Sequence, residues 1–396
     1  MPVDVDYVVV GGGVVGRAVA YALRKRGEQS VAVIERCPRD LIENQSTRNA
    51  GVIHAGVYYR PSIQPLKARL CVIGNRLLYD FCEEFGVPHA RTGKLVVATC
   101  EREEPYLLDC LETARQNAVP DVRLIDADEQ RTIEPRIVST KALLVPTSGV
   151  IDAAAYLDTL RRRAGCHDLF HTRVEGIHRL SHGFEVFTRS PARTETFVAR
   201  TVINAAGLES DDIARMIDPD SPYQLVAYRG ESAKFYTTRR DELALRPLNV
   251  YPVPCGVYPD GRLADVSFEE FKTLLAQGTI LETFGMHITP TLDEHGNASP
   301  TMTVGPAVTR GVAKDDFRSL APPERYCGAV ERFFPALQPA DVELHHVGIQ
   351  ARVVGHRDWV IEPSPEAEQF INLIGINSPG LTSSLAIASY ILEELL

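Results

Sequence analysis

Val5-Asp6-Tyr7-Val8-Val9-Val10-Gly11-Gly12-Gly13-Val14-Val15-Gly16 stands near the start of the chain, and its reading decides the fold. Val5–Val10 is a short, β-branched apolar run of the kind found in strands buried on both faces. It leads straight into G-x-G-x-x-G, and a helical pattern follows with Ala18, Val19, Ala22 and Leu23 on one face. Gly27 stops that helix where a C-cap belongs, after Arg24, Lys25 and Arg26. A second apolar strand, Val31–Ile34, then ends in Glu35 and Arg36. Each glycine has a mechanical role: Gly11 for the tight turn, Gly13 for backbone approach to a pyrophosphate, Gly16 for close helix–sheet packing. The helix N-terminus, Val14 and Val15 included, offers free N–H groups and partial positive charge to that pyrophosphate. Glu35 comes nineteen residues after Gly16, where a carboxylate accepts from ribose hydroxyls and repels a 2′-phosphate. A glycine triplet alone is weak evidence, but strand, helix, second strand and terminal acid all fall at the required spacing. The segment predicts a dinucleotide-binding α/β unit, without deciding between FAD and NAD.

Working outward, 396 residues exceed what one core usually serves, so two domains are expected. Apolar residues at 44% and charged residues at 24% are the balance of a soluble globular chain. A formal charge of −10 argues against a nucleic-acid partner, which wants a basic face. The eight cysteines show no C-x-x-C spacing and read as reduced, mostly buried thiols, with no metal site. No apolar run reaches the ~18 residues of a membrane span. A strand beginning at Val5 leaves no room for a signal peptide, so the expected location is cytoplasmic, with peripheral membrane contact still open.

A further stretch, Ser46-Thr47-Arg48-Asn49-Ala50-Gly51-Val52-Ile53-His54-Ala55-Gly56-Val57-Tyr58-Tyr59, resembles the signature of L-2-hydroxyglutarate dehydrogenases and oxidases. These are a branch of the D-amino-acid-oxidase-like FAD oxidoreductases, beside glycine oxidase and glycerol-3-phosphate dehydrogenase. Tyr228-Arg229-Gly230-Glu231, Gly285-Met286-His287-Ile288-Thr289-Pro290 and Ser378-Pro379-Gly380-Leu381-Thr382-Ser383-Ser384-Leu385-Ala386-Ile387-Ala388 agree with that family in order. The resemblance implies FAD as cofactor, held in part by Ser46, Thr47, Asn49, Ala50, Gly51 and Val52. It also implies that the loop Ala205-Ala206-Gly207 lies near the FAD phosphates and that Val174 meets the adenine through its backbone. Independently, Thr201–Asn204 reads as a strand whose small following residues let a backbone pass beside a ligand. Pro379-Gly380 breaks the chain ahead of a helix over 381–396. The N–H groups of Leu381, Thr382 and Ser383 would favour the negative charge of a reduced flavin.

Cofactor motifs fall at both ends and in the middle, so the Rossmann-type FAD-binding domain is expected to be discontinuous, from 1–85, 150–215 and 340–396. Residues 86–149 and 216–339 are expected to form a second, α+β substrate domain built on a mostly antiparallel sheet that covers the flavin. Tyr251-Pro252-Val253-Pro254 fits a strand end on this lid, and Phe268–Leu275 reads as a short helix in an extension over 255–283.

The family reaction moves a hydride from the Cα of an L-2-hydroxy acid to flavin N5 while a base takes the hydroxyl proton. Histidine suits that base, with an unperturbed pKa of ~6.5. His54 and His287 are the two histidines inside motifs, His287 favoured as base or carboxylate ligand and His54 as a flavin-side group. His54 more faintly resembles the histidine that carries covalent flavin in dimethylglycine dehydrogenases. Arg229, Tyr251, Tyr58 and Lys67 are candidates for binding the substrate carboxylates. Where relatives read Gly-Ile/Val-Arg, this chain has Gly348-Ile349-Gln350-Ala351-Arg352, and Gln350 cannot form a charge-assisted fork on a carboxylate. Arg352 could replace that charge if it shares the face of Gln350. The relatives' Glu before Ser-Pro-Gly is Asn377 here. The expected activity is oxidation of L-2-hydroxyglutarate to 2-oxoglutarate, with oxygen, a quinone or a flavoprotein as electron acceptor. An amine oxidase of the glycine or sarcosine oxidase type and a non-catalytic flavin protein are the alternatives.

Overall fold

The computed structural model describes residues 4–38, 45–258 and 262–396. Val5–Val10 forms the expected strand and pairs in parallel with Val31–Ile34 on one side and with Thr194–Asn204 on the other. His167–Leu169 extends this sheet beyond Val31–Ile34, and Ala367–Ile374 joins Thr194–Asn204 in parallel. The antiparallel hairpin Arg173–Leu180 and Gly183–Arg189 completes the far edge. Helix Val14–Arg26 ends at Gly27, whose φ of 108° is left-handed, with its N–H on the carbonyls of Leu23 and Arg24. Gly16 sits where this helix crosses the strand: a Cβ there would lie 2.0 Å from the Gly11 carbonyl oxygen. Helices Pro65–Phe85, Ala153–Ala164 and Gly380–Glu394 pack on the same side, around Val9, Val33, Leu78, Tyr156, Ile203 and Ile387.

The second sheet runs in the order Glu343–Val353, Leu225–Tyr236, Ala298–Arg310, His287–Leu292, Asn249–Pro252, Lys94–Ala98, Lys141–Val145, Arg123–Asp126. All its pairings are antiparallel except that of Asn249–Pro252 with Lys94–Ala98. The architecture is thus a Rossmann-type α/β layer beside a mostly antiparallel sheet, as the sequence led one to expect. One boundary is corrected. Glu343–Val353, assigned above to the cofactor unit, pairs along its length with Leu225–Tyr236 in the second sheet. It forms the edge strand of that sheet, where antiparallel pairing on one side takes up its backbone groups.

The extension over 255–283 holds helix Phe268–Ala276, capped by Ser267, and a small sheet of Cys255–Val257, Leu263–Ala264 and Leu281–Thr283. Phe268 and Phe271 pack on Tyr106, and Phe284 just beyond stacks on Tyr58 at 4.4 Å. The extension therefore roofs the aromatic cluster beside the second sheet. No helix among the described residues is long and apolar enough to cross a membrane.

Candidate functional site

At the glycine loop the backbone does most of the work. Gly11 has φ 109°, and a Cβ on it would lie 2.2 Å from the Ala205 carbonyl oxygen, so loop and neighbouring turn pass in contact. The Val14 N–H donates to Ser46 Oγ (2.8 Å), while those of Val15 and Gly16 have no protein acceptor among the described residues. Glu35 Oε2 accepts from the Gly12 N–H (2.8 Å) and its Oε1 from the Cys37 N–H (2.9 Å). The carboxylate thus shapes the loop as well as facing a cavity of about 450 Å³. Val10, Glu35, Arg36, Val174, Ala206 and Met216 are among its lining residues. Arg36 is held by Glu209 at 2.9 Å, and Gly207 turns the following chain at φ 59°. An elongated dinucleotide fits this cradle: apolar walls for a base, an acid for hydroxyls, and open helix N–H groups for phosphate.

The loop carrying Thr47, Asn49, Ala50 and Gly51 runs from there toward the second sheet and borders a smaller cavity of about 210 Å³. Asn49 was expected to hold cofactor, but its amide is used within the loop, donating to the Ser46 carbonyl (2.6 Å) and accepting from the Gly51 N–H (2.8 Å). Thr382 likewise has protein partners for its side chain. Its Oγ1 accepts from the His54 N–H (3.0 Å) and donates to the Val52 carbonyl (3.3 Å), locking the loop to the C-terminal helix. At that helix start the Ser383 N–H bonds the Pro379 carbonyl, whereas those of Leu381 and Thr382 have no acceptor among the described residues. The Ser383 hydroxyl is buried without a partner. Gly380 lies at the break that sets this geometry.

His54 is held on three sides. Asn75 donates to its carbonyl (2.9 Å), Thr382 takes its N–H, and its Nε2 lies 3.2 Å from Ser378 Oγ. Its Nδ1 is buried without a partner among the described residues. Burial, then Lys94 and His287, hold its pKa well below the usual imidazole value. His287, also with a partnerless buried Nδ1, stacks on Tyr251 at 4.0 Å, and burial lowers its pKa to about 3. Both imidazoles are therefore neutral at neutral pH, with a lone pair to offer.

The second sheet presents its two faces differently. Leu95, Val250 and Ile288 belong to the core around Phe235, Tyr326 and Phe334. Alternation then projects Lys94, Tyr251 and His287 from the opposite face. Arg229 and Glu231 lie on the core side, where Glu231 accepts from the N–H groups of Leu320 and Ala321. Arg229 is accordingly corrected from ligand to structural cation. Its guanidinium is buried between Glu231 (3.1 Å) and Asp316 (2.6 Å), away from the histidines. Tyr228 and its cross-strand partner Gln350 take the other face, and Arg352 joins them. Arg352 stacks over Tyr228 (4.5 Å) and donates to Gln350 Oε1 (3.4 Å), while its Nε is buried without a partner. Lys67 donates to the Arg357 carbonyl (2.9 Å) and lies near Asp358 and Arg352, tying helix Pro65–Phe85 to the C-terminal segment. Tyr58, its hydroxyl buried and partnerless, stacks between Phe284 and Tyr251.

Lys94 escaped the sequence reading. Its ammonium lies 3.9 Å from the Tyr251 ring centre and 5.2 Å from that of Tyr58, and burial lowers its pKa to about 7. The one signal was a lysine placed in register with Val96 and Ala98 in an otherwise apolar strand. Ser378 and Asn75, which hold His54, were missed too, because nothing local marks their long-range partners.

A family model described as DAO, FAD dependent oxidoreductase, matches residues 6–394. The mitochondrial L-2-hydroxyglutarate dehydrogenase of Arabidopsis thaliana is 30% identical, over 99% of this chain and 83% of that protein. Its counterpart in Caenorhabditis elegans is 29% identical, over 98% and 92%. Among solved structures, the L-alpha-glycerophosphate oxidase of Mycoplasma pneumoniae with FAD bound superimposes with a TM-score of 0.80 at 22% identity, over 98% of this chain and 94% of that one. That likeness speaks to the fold.

Proposed function

The chain belongs to the DAO family of FAD-dependent oxidoreductases, and from that premise we propose that it oxidises L-2-hydroxyglutarate to 2-oxoglutarate. That it binds FAD and oxidises a hydroxy acid at its CH–OH group follows from the family and its relatives; the substrate, base and residue roles are our reading. The observation that carries the reading is the pair of buried, neutral histidines, each with an Nδ1 partnerless among the described residues, beside the unpaired Lys94 ammonium.

FAD, when bound, supplies the acceptor for the hydride leaving the substrate's C2. Val15, Gly16, Glu35, Val174 and Ala206 would hold its adenine and phosphate end, and Gly51, Leu381 and Ser383 its ring end. His287 accepts the C2 hydroxyl proton. Its free-state pKa of about 3 belongs to a site with no anion in it, and a bound carboxylate raises the proton affinity of both imidazoles. His54, fixed by Ser378 and Thr382, orients the flavin-side edge of the substrate. Arg352, on the face of Gln350, takes the place of the relatives' arginine on one carboxylate, with Lys67 adding positive charge behind it.

The test is anaerobic bleaching of the flavin by L-2-hydroxyglutarate, its D-isomer, other L-2-hydroxy acids and N-methyl amino acids. Rapid bleaching by L-2-hydroxyglutarate alone is expected. Bleaching only by amines would replace this reading with an amine oxidase, and no bleaching at all with a non-catalytic flavoprotein.

A further inference from the structure

Lys94 is 1% exposed, at the start of strand Lys94–Ala98 in the second sheet. Its surroundings can be enumerated. Tyr58 and Tyr251 face it with their rings, Cys71 approaches from helix Pro65–Phe85 and Cys110 from helix Glu104–Gln116. His54 and His287 are close enough that its charge lowers both their pKa values. Burial pushes the hydroxyls of Tyr58 and Tyr251 and the thiols of Cys71 and Cys110 upward, so all four are neutral at working pH. The two carboxylates that bear on Cys110, Asp109 and Glu282, are already bound to Arg60. Among the described residues Lys94 has no carboxylate and no hydrogen-bond acceptor. An ammonium taken out of water with only aromatic faces beside it is a costly arrangement for a purely structural residue. The side chains that follow it on the same face of the strand, Val96 and Ala98, are apolar.

We infer that Lys94 is the counter-ion that admits a carboxylate of the substrate, forming with Tyr58, Tyr251 and His287 an anion-binding subsite on the second sheet. This rests on the placement of the substrate proposed above. The incoming carboxylate supplies the missing negative charge, and the tyrosine hydroxyl of Tyr58 supplies a further donor that is free to meet it. The arrangement also links binding to pH. Lys94 in the free site loses its proton near pH 7, and only the ammonium attracts the anion. Affinity is therefore constant below about pH 7 and falls by about tenfold per unit above it, until the pKa raised by the bound anion is reached. In the free site both histidines are neutral over this range, held below the usual imidazole value first by burial.

The experiment uses the FAD-loaded enzyme and two unreactive probes, glutarate and 2-oxoglutarate, read by the change in flavin absorbance between pH 6 and 9. The wild type is expected to show a dissociation constant that is flat to about pH 7 and then climbs tenfold per unit. Lys94→Met, which keeps the chain length and apolar stem, is expected to weaken binding by about 10–100-fold at pH 6.5 and to abolish the slope. Lys94→Arg is expected to bind at pH 9 better than the wild type does, because a guanidinium does not titrate there. A Lys94→Met enzyme with unchanged affinity and pH profile overturns the inference, as does a wild type that binds neither probe. The outcome is separable from the substrate reading. Lys94-dependent binding of carboxylates in an enzyme bleached only by amines would leave the subsite standing and remove the hydroxy acid. Bleaching by L-2-hydroxyglutarate with a Lys94-independent profile would do the reverse.

Discussion

The two ends of the candidate site are built in opposite ways. At the glycine loop the ligand-facing groups are mostly backbone, and the nearby cations are already paired, Arg17 with Asp168 and Arg36 with Glu209. On the second sheet the proposed ligand-facing groups are side chains, and two of its cations, Lys94 and Arg352, have no carboxylate among the described residues. The first region is electrostatically complete and recognises by shape and by open N–H groups. The second carries a buried ammonium whose proposed partner is an anion from outside the protein. That difference teaches where tolerance to change should lie: geometry is critical at the loop, charge at the sheet.

The comparison breaks most sharply at the loop. Gly16→Val would place side-chain atoms where even a Cβ is 2.0 Å from the Gly11 carbonyl, and the purified protein is expected to carry no flavin, read from the 450 to 280 nm absorbance ratio. Next in size is His287→Asn, which keeps the cofactor but removes the proposed proton acceptor. A loss of ~10²–10⁴-fold in kcat at saturating substrate is expected, with the flavin content unchanged. An equal loss from His54→Asn, with little from His287→Asn, would exchange their roles.

A smaller effect sharpens the contrast between two arginines on opposite faces of one sheet. Arg352→Met is expected to raise KM by about 10–100-fold with Tm little changed. Arg229→Met leaves Glu231 and Asp316 without their buried partner and is expected to cost about 3–5 kcal/mol of stability, seen as a lowered Tm, before any change in KM. The reverse pattern would return Arg229 to the substrate. The smallest change is at Glu35→Gln, where one oxygen can still accept from the Gly12 or Cys37 N–H. FAD affinity is expected to fall by about tenfold at most, measured by flavin fluorescence on dilution.

Legibility in the sequence followed the same division. The loop is local: Gly11 to Glu35 spans one strand–helix–strand unit, so spacing and residue type were enough to read it. The substrate face is not local. Lys94 lies over a hundred residues before Tyr251 and His287 in the chain, and their meeting depends on sheet order. Arg229 was misread for that reason: a motif marks a residue, but only alternation within a paired strand says which face it takes. Asn49 and Thr382 show a different limit, since a polar side chain in a motif can also serve the loop around it, a role that residue type alone does not reveal.

The dinucleotide unit and the FAD-dependent family were thus readable from the chain alone, because periodicity and short motifs encode contacts between residues close in the chain. Only the tertiary structure decided that Arg229 belongs to the core, that Arg352 shares the face of Gln350, and that Lys94 is a buried ammonium without an anion. Those depend on long-range register and burial, which decide whether a charge meets a partner within the protein or must wait for one from outside.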